Sequence, residues 1–235
     1  MLVGSMRTSV VRGLSSMATR LVLPELAKTY RDLTGQQVVF ESVGGLDAAK
    51  RIESGEVFDL VVLATDLIDR LIAAGKALGD SRQDLFRSPV AIAVRKGAPR
   101  PDTGTGDALR AAILAARSIG YSTGPSGVEL LKLFERWGIA GAVKNRAIQA
   151  PPGIPVGQML AEGSVELGFQ QLSEMMYVPG IELLGTMPQD CAIVSIFTAA
   201  QCCGSLQPDA VRDLIGFMHA HEPTDLKRRY GLEQA

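Results

Sequence analysis

Each of the first three apolar runs of this chain is followed by a helical pattern, and that alternation restricts the fold more than any other feature. Thr8 to Leu14 reads as a strand. Leu21, Leu26, Ala27 and Tyr30 then recur at helical spacing between Met17 and Leu33, and Thr34-Gly35 closes the helix. Val38-Val39-Phe40 reads as a second strand and Leu46 to Glu53 as a second helix ended by Ser54-Gly55. Leu60 to Leu63 is a buried third strand, followed by helix Asp66 to Ala74 with Gly75 as its stop. Short strand–helix–strand connections of this kind imply parallel strands covered by helices.

A second α/β block follows. It comprises the apolar strand Ser88 to Val94, a turn-rich loop from Arg95 to Asp102, helix Asp107 to Ala116, strand Ser118 to Ser122, helices Ser126 to Trp137 and Val156 to Glu162, and strand Glu166 to Phe169. Strand Ile193 to Ala199 and helices Pro208 to His221 and Asp225 to Tyr230 complete the chain, with no internal repeat and no low-complexity tract. The expected architecture is therefore α/β and two-lobed, with a ligand cleft between the lobes. Residues 1–86 and a return segment, 191–235, form the first lobe; residues 87–190 form the second.

Chemistry concentrates where strands hand over to helices. Ser122 to Trp137 passes from a Gly/Pro-broken loop into an apolar helical pattern, and Ser126-Gly127 stands at the change. The first amides of a helix have no intrahelical acceptor and lie at the positive end of its dipole, so such a start favours anions. Ser15-Ser16 and Gly44-Gly45 occupy equivalent places after the first two strands. Serine and glycine also cap helices that bind nothing, so the force of the observation lies in three such starts, each at the carboxyl end of a strand, where open α/β sheets take ligands.

Composition narrows the partners. Lys and Arg number 24 against 25 Asp and Glu, without a long basic run, which argues against nucleic acid or an anionic membrane. No apolar run is long enough to span a bilayer. Met1 to Ser9 lacks the basic and apolar regions of a secretory signal, so the expected location is the cytoplasm, or the periplasm if an export leader lies outside this sequence. Cys191, Cys202 and Cys203 lack metal-ligand spacing and read as free thiols. The only histidines, His219 and His221, lie on a late amphipathic helix. No metal, no cofactor and no histidine-based triad is expected.

Leu14-Ser-Ser-Met-Ala18, Ser42-Val-Gly-Gly-Leu46, Arg51 to Asp59, Arg87 to Arg95, Gly124-Pro-Ser-Gly-Val128, Glu166 to Gln171 and Arg229-Tyr-Gly231, in this order and spacing, resemble the type II periplasmic-binding-protein superfamily. The likeness is to the molybdate-binding group and to a sister group that includes trans-aconitate isomerase. It implies that Ser15 or Ser16, Gly44 or Gly45, and Ser126 with Gly127 contact a ligand. Gln171 stands where the molybdate group places a tyrosine, and glycines replace the serines of the second loop. Arg87 adds a positive charge suited to a carboxylate.

Plainer roles stand beside these. Arg87 and Arg95 read equally as solvated charges, Gln170 as an amide satisfying backbone, and Asp59 as a turn or cap partner. The function expected is binding of a small anion, a di- or tricarboxylate or an oxyanion. One alternative is an isomerase interconverting tricarboxylates such as aconitate by proton transfer, with Ser15, Ser16 and Glu174 as catalytic candidates. A second is a molybdate receptor, for which an ABC transporter permease is the partner if the chain is exported. A cytosolic sensor is a third class, with no effector surface legible in the sequence.

Overall fold

The computed structural model describes residues 9–151, 153–220 and 224–235. Thr8 and His221, expected in a strand and a helix, lie outside them. The chain divides into two compact units: residues up to 85 with 197–226 and 235, and residues 86–196 with 227–234.

In the first unit, β1 (Val11–Ser16), α1 (Val22–Thr34), β2 (Val38–Val43), α2 (Gly45–Glu53), β3 (Leu60–Ala64) and α3 (Thr65–Ala73) follow in the expected alternation. β1 pairs in parallel with both β2 and β3. Helix α1 begins five residues later than its apolar spacing suggests, because Met17–Thr19 forms a separate 3₁₀ turn; Gly35 closes α1 at φ 78°, a conformation that needs no Cβ. Ala48, Ala49 and Ile52 of α2 and Leu67, Ile68 and Leu71 of α3 pack with Leu14, Val61 and Leu63 of the sheet. Asp59 is the structural residue expected: it accepts from the Arg12 N–H and the Ser205 hydroxyl, each at 2.8 Å.

The second unit is built on β4 (Gln83–Arg95), longer than expected and begun in the first unit. After it come α4 (Gly106–Ala115), β5 (Ile119–Tyr121), α5 (Pro125–Arg136), α6 (Ala140–Val143), β6 (Ala147–Gln149), α7 (Val156–Glu162), β7 (Leu167–Gln171), α8 (Leu172–Met175) and β8 (Ile181–Thr186). β4 pairs antiparallel with both β7 and β8, and β5 runs parallel to β6 and β7. Val90, Ile92, Val94, Leu167 and Phe169 face helices α4, α5 and α6; Ala91 and Ala93 face α7 and α8. Full burial of a ring such as Phe134 contributes about 2–3 kcal/mol.

β9 (Val194–Gln201) carries the chain back and pairs antiparallel with β3. α9 (Pro208–Ala220) packs on α1 through Tyr30 and Phe217, whose ring centroids are 5.0 Å apart. The tail differs from the expected return segment. After α10 (Thr224–Arg229), β10 (Glu233–Gln234) pairs with Phe86 and Arg87 of β4, and so joins the second unit. Cys191 and Ile193 also belong there, because they pack among the residues under α4 and α5.

Candidate functional site

In the first unit, β1 and β2 end side by side, with Ser15 opposite Ser42 and Ser16 opposite Val43. The Ser15 and Ser42 hydroxyls are 2.8 Å apart, and Ser15 is fully buried. Ser16 caps the 3₁₀ turn, its Oγ accepting from the Ala18 N–H at 3.4 Å, so it begins a short turn and not the long helix expected. Gly44 is the N-cap of α2 and makes no side-chain cap; Gly45 is the first helical residue. A Cβ on Gly45 would stand 3.9 Å from Ser16 Oγ and 3.3 Å from Leu67 Cδ1, so the small residue lets the helix start approach Ser16. Ser42 lies two residues before Gly44-Gly45, in the same stretch of sequence.

In the second unit, β7 runs two residues past Phe169, to Gln171, and Phe169 pairs with Tyr121, the last residue of β5. Helix α5 starts there, one residue earlier than expected: Gly124 is its N-cap and Pro125 its first residue. Ser126 is therefore inside the first turn and 4% exposed, with its hydroxyl 2.9 Å from that of Ser122. Gly127 has a packing role. Its N–H donates to Gly124 O at 3.0 Å, and an added Cβ would lie 2.0 Å from the carbonyl oxygen of Ser122. The free amide in this turn is then that of Ser126, since Pro125 carries none.

Gln171 closes β7 and is 3% exposed; its amide nitrogen is 2.7 Å from Ser195 Oγ, a partner no sequence signal pointed to. Gln170 leaves the other face of the strand. Its oxygen accepts from the Val156 N–H at 2.8 Å at the start of α7, and its nitrogen donates to Glu174 at 2.7 Å. Glu174 is thereby grouped with Gln170, on the side of β7 away from Gln171. Arg87 is an exposed residue of β4, 3.8 Å from Glu233 of β10, and alternation turns it away from its neighbour Ser88.

No Asp, Glu or His side chain hydrogen-bonds the hydroxyls of Ser15, Ser16, Ser42, Ser122 or Ser126 among the described residues. Glu41, beside Ser42, uses its carboxylate on Arg51, whose hydrogen bonds hold it below the usual carboxylate range. Both clusters consist of neutral donors at strand ends, an arrangement that can stabilise an anion through hydroxyl and amide dipoles. Among the described residues no group of His, Cys, Asp and Glu could hold a metal ion, and no helix is long and apolar enough to cross a membrane.

Residues 11–233 match the family described as bacterial extracellular solute-binding protein. The chain belongs to that family. Within reach of it by sequence is an aconitate isomerase of a Pseudomonas species, 34% identical over 226 residues that cover 94% of this chain and 86% of the relative. Solved structures share the fold at lower identity. The periplasmic molybdate-binding protein of Azotobacter vinelandii superposes with a TM-score of 0.77 at 17% identity, covering 96% of this chain and 99% of its own. The sulfate-binding protein SubI of Mycobacterium tuberculosis gives 0.79 at 17% identity, covering 97% and 87%. The mixed α/β fold expected from the sequence is thus that of the periplasmic solute-binding proteins.

Proposed function

We propose that the protein binds a small di- or tricarboxylate anion through neutral donors at strand ends and helix starts. The observation that carries this reading is the serine couple in each unit, Ser15 with Ser42 and Ser122 with Ser126, each beside a helix start that no side chain caps. Neutral hydroxyls and amides suit an anion that must be released again, since they offset its desolvation without a buried countercharge. Ser15, Ser16 and Gly45 are the candidate contacts in the first unit, and Ser126 and Gln171 those in the second. The carboxylate class is favoured by the aconitate isomerase relative, at twice the identity of the molybdate- and sulfate-binding proteins. If the chain is exported, an ABC transporter permease is the matching partner.

Isothermal calorimetry with citrate, cis-aconitate, trans-aconitate, sulfate and molybdate tests this reading. Saturable binding of a carboxylate is expected, and heats only with molybdate or sulfate would contradict it.

The same relative favours a second reading, isomerisation of aconitate on this scaffold. That reaction takes a proton from one carbon of an allylic system and returns one to another, so it requires a proton acceptor beside the bound carboxylates. Ser15 and Ser16 are the candidates within the clusters; Glu174 is bound to Gln170. Proton NMR of trans-aconitate incubated with the protein in heavy water decides it. Appearance of cis-aconitate with deuterium incorporation supports turnover. Unchanged trans-aconitate in a sample where binding is measured leaves the binder.

A further inference from the structure

Three buried side-chain atoms have no hydrogen-bond partner among the described residues: Ser88 Oγ, Gln171 Oε1 and Ser173 Oγ. All three lie in the second unit. An unsatisfied buried polar atom destabilises a fold, so such atoms are rare and ask for a cause. Ser173, on α8, has its backbone nitrogen against Gly231 of the C-terminal tail, where an added Cβ would come within 3.0 Å. Ser88 and Gln171 are placed differently.

Ser88 is fully buried on β4, two residues before Val90, and so shares its face; Val90 is the register partner of Gln171. That face is covered by α5, through Leu130, Leu133 and Phe134. Gln171 ends β7 two residues past Phe169, the partner of Tyr121 at the end of β5, from which the chain passes through Ser122 into α5. Sheet register therefore brings the Ser88 hydroxyl and the Gln171 amide to the same face and the same end of the sheet as the Ser122–Ser126 couple.

The Gln171 amide has two orientations of equal shape, to be chosen by its neighbours. With the nitrogen toward Ser195 Oγ, at 2.7 Å, the oxygen is orphaned. Turned over, the oxygen accepts the Ser195 hydroxyl proton and the NH₂ group takes the place of the orphaned oxygen. The second orientation converts an orphaned acceptor into two donors.

We propose that Ser88 and Gln171 form a neutral donor subsite for one carboxylate of the ligand, with Ser195 fixing the Gln171 amide so that its NH₂ points to that carboxylate. This rests on the carboxylate reading above and adds Ser88 and Ser195 to it. Ser88 donates its hydroxyl hydrogen to one carboxylate oxygen, and Gln171 donates to the other. Because both donors are neutral, the subsite tolerates the anion leaving, while an acidic side chain introduced there repels it.

The test compares wild type, Ser88→Ala and Gln171→Glu by calorimetry with citrate and trans-aconitate at pH 8, and by thermal melting without ligand. Ser88→Ala is expected to weaken carboxylate binding about ten-fold or more while leaving the unliganded melting temperature unchanged or raised, since an unsatisfied hydroxyl is removed. Gln171→Glu is expected to weaken binding about a hundred-fold by placing like charges together. Unchanged affinity in Ser88→Ala, or a lowered unliganded melting temperature, overturns the subsite; if Gln171→Glu fails to fold, Ser88→Ala decides alone. A wild-type protein that binds neither carboxylate contradicts the functional reading itself and the subsite with it, a result distinct from a wild type that binds and a Ser88→Ala variant that binds equally well.

Discussion

The hydroxyls of Ser122 and Ser126 lie 2.9 Å apart across the first turn of α5, and each can be the donor. A couple of this kind can hand one hydroxyl hydrogen outward while the partner supports its oxygen, so it presents a donor whose position is fixed. The Ser15–Ser42 couple at 2.8 Å does the same at the ends of β1 and β2. Replacing Ser126 by Ala keeps the backbone amide and removes one hydroxyl. Carboxylate affinity is expected to fall by about 1–2 kcal/mol in calorimetry, and Ser15→Ala by a similar amount. An isomerase would lose more turnover than affinity in one of these variants.

Gly127 and Ser122 set the geometry of that couple. Since a Cβ at position 127 would lie 2.0 Å from the Ser122 carbonyl oxygen, the start of α5 must shift in Gly127→Ala. Overpacking against backbone costs about 1–3 kcal/mol or more. The variant is expected to melt earlier in a thermal scan and to bind carboxylate more weakly than Ser126→Ala does, because the amide and both hydroxyls move together.

Asp59 provides a contrast, as a buried carboxylate assigned to architecture. It ties the Arg12 N–H of β1 to Ser205 in the loop before α9. Asp59→Ala leaves those donors unpaired and is expected to lower stability by about 2–4 kcal/mol in urea titrations. Ligand affinity of the folded fraction should stay within about two-fold of wild type, a change of roughly 0.4 kcal/mol.

The cysteines give a pH dependence of known sign. Burial, then the charge of Asp59, pushes the Cys202 thiol up to about 12; burial, then Asp190, pushes Cys191 up to about 11. Unfolded thiols ionise near 8.5. Above that value the unfolded chain has lost protons that the fold keeps, so stability is lost as pH rises toward these folded values. Melting temperature should fall between about pH 8.5 and 11, less steeply in Cys202→Ala. In the native protein at neutral pH a thiol reagent should label exposed Cys203 alone, with Cys191 and Cys202 reacting only after denaturant is added.

Much of the fold was legible because its helices carry long, one-sided apolar patterns bounded by glycines. Val156–Glu162 falls where the spacing puts it, and Gly35 and Gly75 stop their helices with positive φ. β6 and β10 were not legible: three and two residues hold too little alternation, and their pairing is decided by distant strands. The candidate clusters were legible where a hydroxyl and a helix start share one stretch of sequence, as at Ser15-Ser16 and Ser126. It was not where strand register does the work. Ser88 and Gln171 are 83 positions apart in sequence, and the outward turn of Arg87 toward Glu233 follows from strand alternation. The resemblance places Gly127 at the ligand, and in the structure the carbonyl of Ser122 excludes a side chain there.

Calorimetry of the wild-type protein with trans-aconitate and citrate, set against sulfate and molybdate under the same buffer, bears most directly on what the serine couples hold. Single-site binding of at least one carboxylate, tighter than either oxyanion, is the expected result. Absence of binding to every carboxylate, or molybdate or sulfate bound most tightly, would contradict it.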